Sequence, residues 1–173
     1  MKQSRTYNNM DENNATGERW GRIVEEGPDK RPIQELALDT EFAFPNNKNG
    51  TVYIFGRSPG SDDPKFKQYQ NESLVILTPN DRKMSRKACG LMLWPDGGIT
   101  IVNPTNRNLG FGLNERDTRR SVKPYKSLYL PKGTDLRNLR IDVGNYEIHA
   151  KKVSGNSDHL ESVSFTKKVT KPR

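Results

Sequence analysis

Short apolar segments recur through the middle of the chain, and Gly, Pro or Asn residues separate them. Each segment is rich in β-branched or aromatic residues, or alternates apolar with polar positions, which is typical of strands. The pattern predicts strands over Gln34–Phe44, Thr51–Gly56, Leu74–Thr78, Ala88–Trp94, Ile99–Asn103, Gly110–Leu113, Ser127–Leu130, Leu139–Val143 and Tyr146–Lys152. Many short strands at near-regular spacing predict an all-β fold, a β-sandwich of two antiparallel sheets.

The strand pattern stops before either terminus. Residues 1–32 are rich in Asn, Arg, Glu and Gly, and their positive and negative charges cancel, so they predict a flexible N-terminal tail. Residues 154–173 are rich in Ser and Lys and predict a basic, flexible C-terminal tail. The range 33–153 is then the folded domain, and it is long enough to bury a hydrophobic core.

The positive charge of the chain is concentrated between the predicted strands. The formal net charge is +8. Two predicted loops hold much of the excess: Arg82, Lys83, Arg86 and Lys87 in one, and Arg116, Arg119, Arg120, Lys123 and Lys126 in the other. For any one of these residues the alternative is an ordinary solvated surface charge. As a set, basic loops on a β scaffold indicate a surface that binds an anion.

Several classes of site are not expected. Cys89 is the single cysteine, so an intrachain disulfide is impossible, and with only His149 and His159 beside it we expect neither a zinc site nor another cofactor. The chain shows no apolar run of membrane-spanning length and no apolar stretch of a secretory signal at its N-terminus. We therefore expect a soluble, cytoplasmic protein without a membrane partner.

Three short motifs occur in order along the predicted domain. Gly56-Arg57-Ser58 follows one strand, Met84-Ser85-Arg86-Lys87-Ala88 opens another, and Asn103 to Asn114 contains a polar loop followed by Leu-Gly-Phe-Gly-Leu-Asn. This ordered set resembles the forkhead-associated (FHA) family. That family shows Gly-Arg after an early strand, Ser-Arg-x-His opening another, and Ser-x-Asn-Gly-Thr-x-Val-Asn in a loop. The resemblance covers Ile33 to Val153.

The resemblance implies an FHA/SMAD-like sandwich whose loop tips bind a phosphothreonine peptide. It implies that Arg57 and Ser85 hold the phosphate, that Arg86 adds charge or reads flanking residues, and that Asn108 fixes the peptide backbone. Ser58 and Arg107 lie beside these residues and complete the predicted site. The chemistry suits the ligand, since the planar guanidinium of Arg matches phosphate oxygens and an amide side chain both donates to and accepts from a peptide. The partners implied are a phosphothreonine-containing protein and an upstream Ser/Thr kinase.

The chain departs from the family pattern at three places. Ala88 stands where the family has His, and Ser61 to Asn71 resembles an insertion between the first two motifs, within residues 59–73. The peptide-contacting residue is either Asn106 or Asn108, and the spacing of five residues after Asn103 favours Asn108. These departures leave an alternative in which a degenerate FHA scaffold binds an unphosphorylated partner.

Two further functions receive less support from the sequence. Basic loops also attract nucleic acid, but the chain lacks the aromatic and basic pattern of strand-type RNA binders. Gly56-Arg-Ser-Pro-Gly60 matches the G-x-S-x-G motif of esterases, yet that motif must lead from a strand into a helix, and Pro59 and Gly60 are followed by no helical pattern. We therefore predict an interaction module, not an enzyme.

Overall fold

The structure, a computed structural model, describes residues 23–26, 32–45, 50–57, 69, 71–79, 81–114 and 120–169. Within these ranges it is all-β and forms thirteen strands. They are β1 (Ile23–Glu26), β2 (Pro32–Ala37), β3 (Glu41–Ala43), β4 (Val52–Gly56), β5 (Glu72–Thr78), β6 (Cys89–Leu93), β7 (Ile99–Val102), β8 (Leu109–Gly112), β9 (Arg120–Val122), β10 (Ser127–Leu130), β11 (Arg140–Val143), β12 (Tyr146–Ser154) and β13 (His159–Lys167). No helix long and apolar enough to cross a membrane occurs in these ranges.

The strands form two sheets, which confirms the predicted β-sandwich. One sheet has seven strands in the order β1-β2-β5-β4-β6-β7-β10, and the other has six in the order β3-β13-β12-β11-β8-β9. The six-stranded sheet is antiparallel throughout. The seven-stranded sheet differs from the prediction, since β5 runs parallel to both β2 and β4. A parallel neighbour needs a long return connection, and residues 57–71 supply it between β4 and β5.

The main core lies between the two sheets and is centred on aromatic side chains. Phe42, Phe44, Tyr53 and Phe55 are buried there and meet edge to face, with ring centroids 5.0–6.5 Å apart. This geometry is the favoured one for aromatic pairs because ring edges and ring faces carry opposite partial charges.

The predicted strand Gln34–Phe44 is two strands in the structure. After Ala37 the chain turns, with Asp39 at a φ of 62° and the Thr40 hydroxyl donating to the Ala37 carbonyl oxygen at 2.7 Å. β2 pairs in the seven-stranded sheet and β3 pairs in the six-stranded one. The turn therefore carries the chain from one layer of the sandwich to the other, which a continuous apolar pattern does not reveal.

The predicted C-terminal tail also differs from the structure, because residues 159–167 form β13. This strand lies between β3 and β12, and the side chains of Val163 and Phe165 are fully buried in the core. On its other face Ser162 and Ser164 are buried, and the Ser162 hydroxyl donates to the Glu41 carboxylate. Buried serines replace the apolar residues that would have identified a strand, and for this reason the segment resembled a tail.

The predicted N-terminal tail, residues 1–32, contains β1 at residues 23–26. This strand pairs antiparallel with β2 and forms the edge of the seven-stranded sheet as far as the structure describes it. Residues 1–22 and 27–31 lie outside the described ranges.

Described residues of all three sequence motifs lie at one end of the sandwich. The antiparallel registers of β4 with β6 and of β6 with β7 bring residues 56–57, 84–88 and 103–108 to the same edge of the seven-stranded sheet. Residues 123–126 reach this edge as well, because β10 begins opposite the last residue of β7. We call the end carrying residues 39, 56–57, 79, 81–88, 103–108 and 123–126 the motif end. The opposite end, with the turns at 94–98, 131–136 and 155–158, is the distal end.

Candidate functional site

The first two motifs are joined by backbone hydrogen bonds. β4 and β6 pair up to Phe55 and Cys89, and the Ala88 N–H then donates to the Phe55 carbonyl oxygen at 2.7 Å. One step further, the Arg57 N–H donates to the Ser85 carbonyl oxygen at 3.0 Å. The structure thus places Arg57 beside Ser85, although 27 residues separate Arg57 from the neighbouring Met84 in the sequence.

Gly56 permits this close approach. A Cβ atom at position 56 would overlap the carbonyl oxygen of Arg86. Only glycine lets the backbone of β4 pass so near another chain segment. The Gly-Arg dipeptide therefore has a packing reason that is independent of any family likeness.

The Arg57 side chain is held by one of its nitrogens. Its Nε donates to the Met84 carbonyl oxygen at 2.9 Å, and the side chain is half-buried. A guanidinium carries five N–H groups, so the four on the two terminal nitrogens remain. No described residue accepts a hydrogen bond from them. Arg57 is thus held through its Nε, and no described residue occupies its terminal nitrogens.

The loop that carries Met84 and Ser85 is stabilised by hydrogen bonds to Asp81. The Met84 N–H donates to the Asp81 carbonyl oxygen at 2.9 Å, and the Lys83 N–H donates to the Asp81 carboxylate at 2.9 Å. Asp81 also hydrogen bonds to Tyr146, whose pKa is raised by burial and by this carboxylate. Arg86 is exposed at the tip of the loop.

Ala88, which replaces the histidine of the family pattern, is buried in the core beside Cys89. Burial raises the pKa of the Cys89 thiol to about 12, so the reactive thiolate form is not populated at neutral pH.

Asn103 organises the third motif from inside the protein. Its side chain is fully buried, and its Nδ2 donates to the carbonyl oxygens of Arg107 at 2.6 Å and Val122 at 2.9 Å. Its Oδ1 accepts from the Thr105 N–H at 2.9 Å and from the Thr105 hydroxyl at 2.7 Å. These four bonds satisfy both ends of the amide and close the loop 103–108.

The predicted ligand-binding residues of this loop are exposed. Arg107 has its backbone held by Asn103 and Thr105 while its side chain is exposed. Asn106 and Asn108 are both exposed, and neither side chain has a hydrogen-bond partner among the described residues. Both remain available to a ligand, and the choice between them stays a prediction. β6 separates β4 from β7, so Arg57 and this loop begin two strand spacings apart, about 10 Å.

Ser58 and the insertion fall mostly outside the described residues. Ser58, residues 59–68 and Gln70 are not described. Tyr69 is described, and its N–H donates to the Glu72 carboxylate at 2.8 Å. Tyr69 packs against a second, smaller core on the outer face of the seven-stranded sheet, formed by Val52, Ile54, Leu74 and Val102.

Two residues of the second basic loop lie at the motif end, although the predicted phosphopeptide site did not include them. Lys123 and Lys126 lie on the loop between β9 and β10 at the motif end, whereas Arg120, grouped with them in the sequence, opens β9 and lies over the Phe111 ring at 5.0 Å. Residues 115–119 are outside the described ranges. The Lys-Pro-Tyr-Lys sequence between two strands was the available signal for a turn here.

In the described ranges no group of three or more His, Cys, Asp or Glu side chains is arranged to hold a metal ion.

No protein-family model matches the chain, and neither a curated protein nor a solved structure matches it significantly. The FHA likeness therefore rests on the motifs alone and stays a prediction.

Proposed function

We propose that this protein is an interaction module that binds a phosphothreonine-containing segment of another protein at its motif end. The observation that carries the proposal is Arg57. Its Nε is fixed by the Met84 carbonyl oxygen, and its backbone N–H is bonded to Ser85, so the two residues proposed to bind the phosphate are adjacent although they come from distant parts of the chain.

The chemistry of these groups suits a phosphate dianion. The terminal nitrogens of Arg57 present a planar fork of donors that matches two phosphate oxygens. Ser85 is half-buried, its backbone is hydrogen bonded to that of Arg57, and its hydroxyl is a further donor for the phosphate. Arg86 is exposed next to both and adds positive charge.

The loop 103–108 supplies contacts of a different kind. An exposed Asn side chain, from Asn106 or Asn108, offers one donor pair and one acceptor to the backbone of an extended peptide. Arg107 is exposed between them. One loop would bind the phosphate and the other the peptide backbone, an arrangement that supports peptide recognition.

Such a module acts downstream of a Ser/Thr kinase, since the kinase creates its ligand. We further propose a cytoplasmic role in signalling or complex assembly. Binding requires neither a metal nor a cofactor, because all the donors come from the chain itself.

The test is a binding titration with a degenerate phosphothreonine peptide library, its unphosphorylated counterpart and a phosphoserine version. We expect micromolar binding that requires phosphate, is weaker for phosphoserine, and is abolished by Arg57→Ala. Arg137→Ala is the matched control, because Arg137 is exposed and pairs with Asp135 near the distal end. Unchanged binding in Arg57→Ala would refute the site. Equal binding of unphosphorylated peptides would identify the degenerate scaffold that the sequence left open.

A further inference from the structure

The motif end carries an excess of positive charge that extends beyond the three motifs. Six side chains at this end are exposed and have no carboxylate partner among the described residues: Arg82, Lys83, Arg86, Arg107, Lys123 and Lys126. The described acidic residues in its loops are Asp39 and Asp81, and Asp81 is already bonded to the Lys83 N–H and to Tyr146. A phosphate dianion neutralises only a part of such a surface.

The loop of Lys123 and Lys126 is fixed to the third motif. The Asn103 N–H donates to the Lys126 carbonyl oxygen at 2.9 Å, and the Asn103 side chain donates to the Val122 carbonyl oxygen at 2.9 Å. From the other side the Tyr125 N–H donates to the Thr105 carbonyl oxygen at 3.2 Å. Residue 125 adopts a φ of 60°, which is uncommon for tyrosine and forms the sharp turn between the two lysines. Both lysines are therefore placed by the same buried amide that shapes the loop 103–108.

We propose that Lys123 and Lys126 form a second anion-binding surface, and that the ligand carries acidic residues beside its phosphothreonine that contact it. This inference rests on the proposed function, since the phosphothreonine sets the register of the peptide. Uncompensated charges on a rigid frame favour a ligand of opposite charge and accelerate its encounter. The contribution should fall as salt is added, because exposed charges are screened over about 8 Å at physiological ionic strength.

The experiment compares three phosphothreonine peptides whose flanking residues are acidic, neutral or basic, in the parent chain and in two double variants. Lys123→Gln with Lys126→Gln removes the proposed surface. Lys132→Gln with Lys151→Gln removes the same charge from exposed positions away from the motif end. In the parent we expect the acidic peptide to bind about fivefold more tightly than the neutral one, in line with two exposed ion pairs.

The Lys123 and Lys126 double variant should lose most of the fivefold preference for the acidic peptide over the neutral one, while its binding of the neutral peptide stays dependent on phosphate. The Lys132 and Lys151 variant should keep it. Equal binding of acidic and neutral peptides by the parent, with binding still dependent on phosphate, overturns this inference and leaves the proposed function standing. No phosphate-dependent binding of any peptide overturns both. A single-stranded oligonucleotide is also titrated. If it binds more tightly than every peptide, and if this binding is lost in the Lys123 and Lys126 variant, the surface belongs to nucleic acid instead.

Discussion

The side-chain amide of Asn103 donates to the carbonyl oxygen of Arg107 at 2.6 Å and thereby closes the loop that presents Arg107 to solvent. Asn103 is buried and cannot contact a ligand, yet it determines the shape of an exposed loop. The same amide reaches Val122, so one side chain holds together two loops of the motif end.

We expect Asn103→Ala to destabilise the protein and to weaken ligand binding, although Asn103 cannot contact a ligand. The change removes the side-chain donor of the buried Val122 carbonyl oxygen and one of the two donors of the Arg107 carbonyl oxygen, which also accepts from the Thr105 hydroxyl. The Thr105 N–H and hydroxyl lose the Asn103 Oδ1 acceptor as well. Each unsatisfied group costs roughly 1–3 kcal/mol, so the free energy of unfolding should fall by about 2–4 kcal/mol. Denaturant unfolding measures this loss.

Asn106→Ala provides the matched control, since Asn106 is an exposed residue of the same loop. Its unfolding free energy should stay within about 0.5 kcal/mol of the parent, as for other surface substitutions. If both variants were equally stable, Asn103 would not organise the loop.

We expect Gly56→Ala to separate the first two motifs. The added methyl group would overlap the Arg86 carbonyl oxygen, and a backbone atom cannot move aside as a flexible side chain can. Overpacking of this kind costs about 1–3 kcal/mol, and it should also abolish phosphopeptide binding by displacing Ser85 from Arg57. Thermal unfolding and the peptide titration measure the two effects.

Gly50→Ala is the comparison for Gly56→Ala. Gly50 precedes β4 at the other end of the strand, has a φ of 79°, and has open space around its Cα. Alanine there is strained by the backbone conformation alone, so stability should fall while binding is retained. Retention of binding by Gly56→Ala would show that the contact with Arg86 does not maintain the site.

The strand pattern predicted the sandwich because most strands bury apolar residues on at least one face. Ser127–Leu130 is predicted and observed with the same bounds, and Thr51–Gly56 differs from β4 by one residue. β13 was missed because Ser162 and Ser164 are buried through hydrogen bonding and strand pairing, which composition does not reveal. β9 is only three residues long, and two of them are exposed, so it has almost no pattern to detect.

The sequence predicted which side chains are candidates for the site, but not which of them lie close together. The structure brings Arg57 to Ser85 through the pairing of β4 with β6, a long-range relationship that no local pattern contains. The sequence also assigned Lys123 and Arg120 to one loop, whereas Arg120 opens β9 and Lys123 lies in the loop after it. Asn103 was noted for its spacing, but its role as the buried centre of the loop depends on Val122, nineteen residues away.

We expect Gln34→Met to stabilise the protein. The Gln34 side chain is fully buried in the seven-stranded sheet, and neither its Oε1 nor its Nε2 has a hydrogen-bond partner in the described part of the chain. Methionine has a similar shape and no such groups, so the free energy of unfolding should rise by about 1–2 kcal/mol. Gln34→Ala, which leaves a cavity, should not be more stable than the parent. A less stable Gln34→Met variant would mean that the amide is hydrogen bonded after all.

Asp158 joins turns at the distal end and should control the acid stability of the protein. Its Oδ2 accepts from the Gly133 N–H at 2.8 Å, its Oδ1 lies 3.0 Å from His159 Nδ1, and its carbonyl oxygen accepts from the Gly98 N–H at 2.7 Å. The Gly133 hydrogen bond, and after it the neighbouring His159, hold the pKa of Asp158 below its ordinary value.

A depressed pKa in the folded state means that the Asp158 carboxylate stabilises the fold at pH values above the unfolded pKa of about 3.9. This contribution is lost as the pH falls through the folded-state pKa, because protonation removes the stronger acceptor. We therefore expect Asp158→Asn to melt below the parent at pH 7 and to lose less of its melting temperature on acidification below about pH 4. Asp96→Asn is the control, since Asp96 is an exposed aspartate in a turn of the same end and its side chain has no hydrogen-bond partner among the described residues. If the parent and Asp158→Asn lost melting temperature in parallel between pH 5 and pH 2, values that bracket the titration of most carboxylates, the acid sensitivity would belong to other carboxylates.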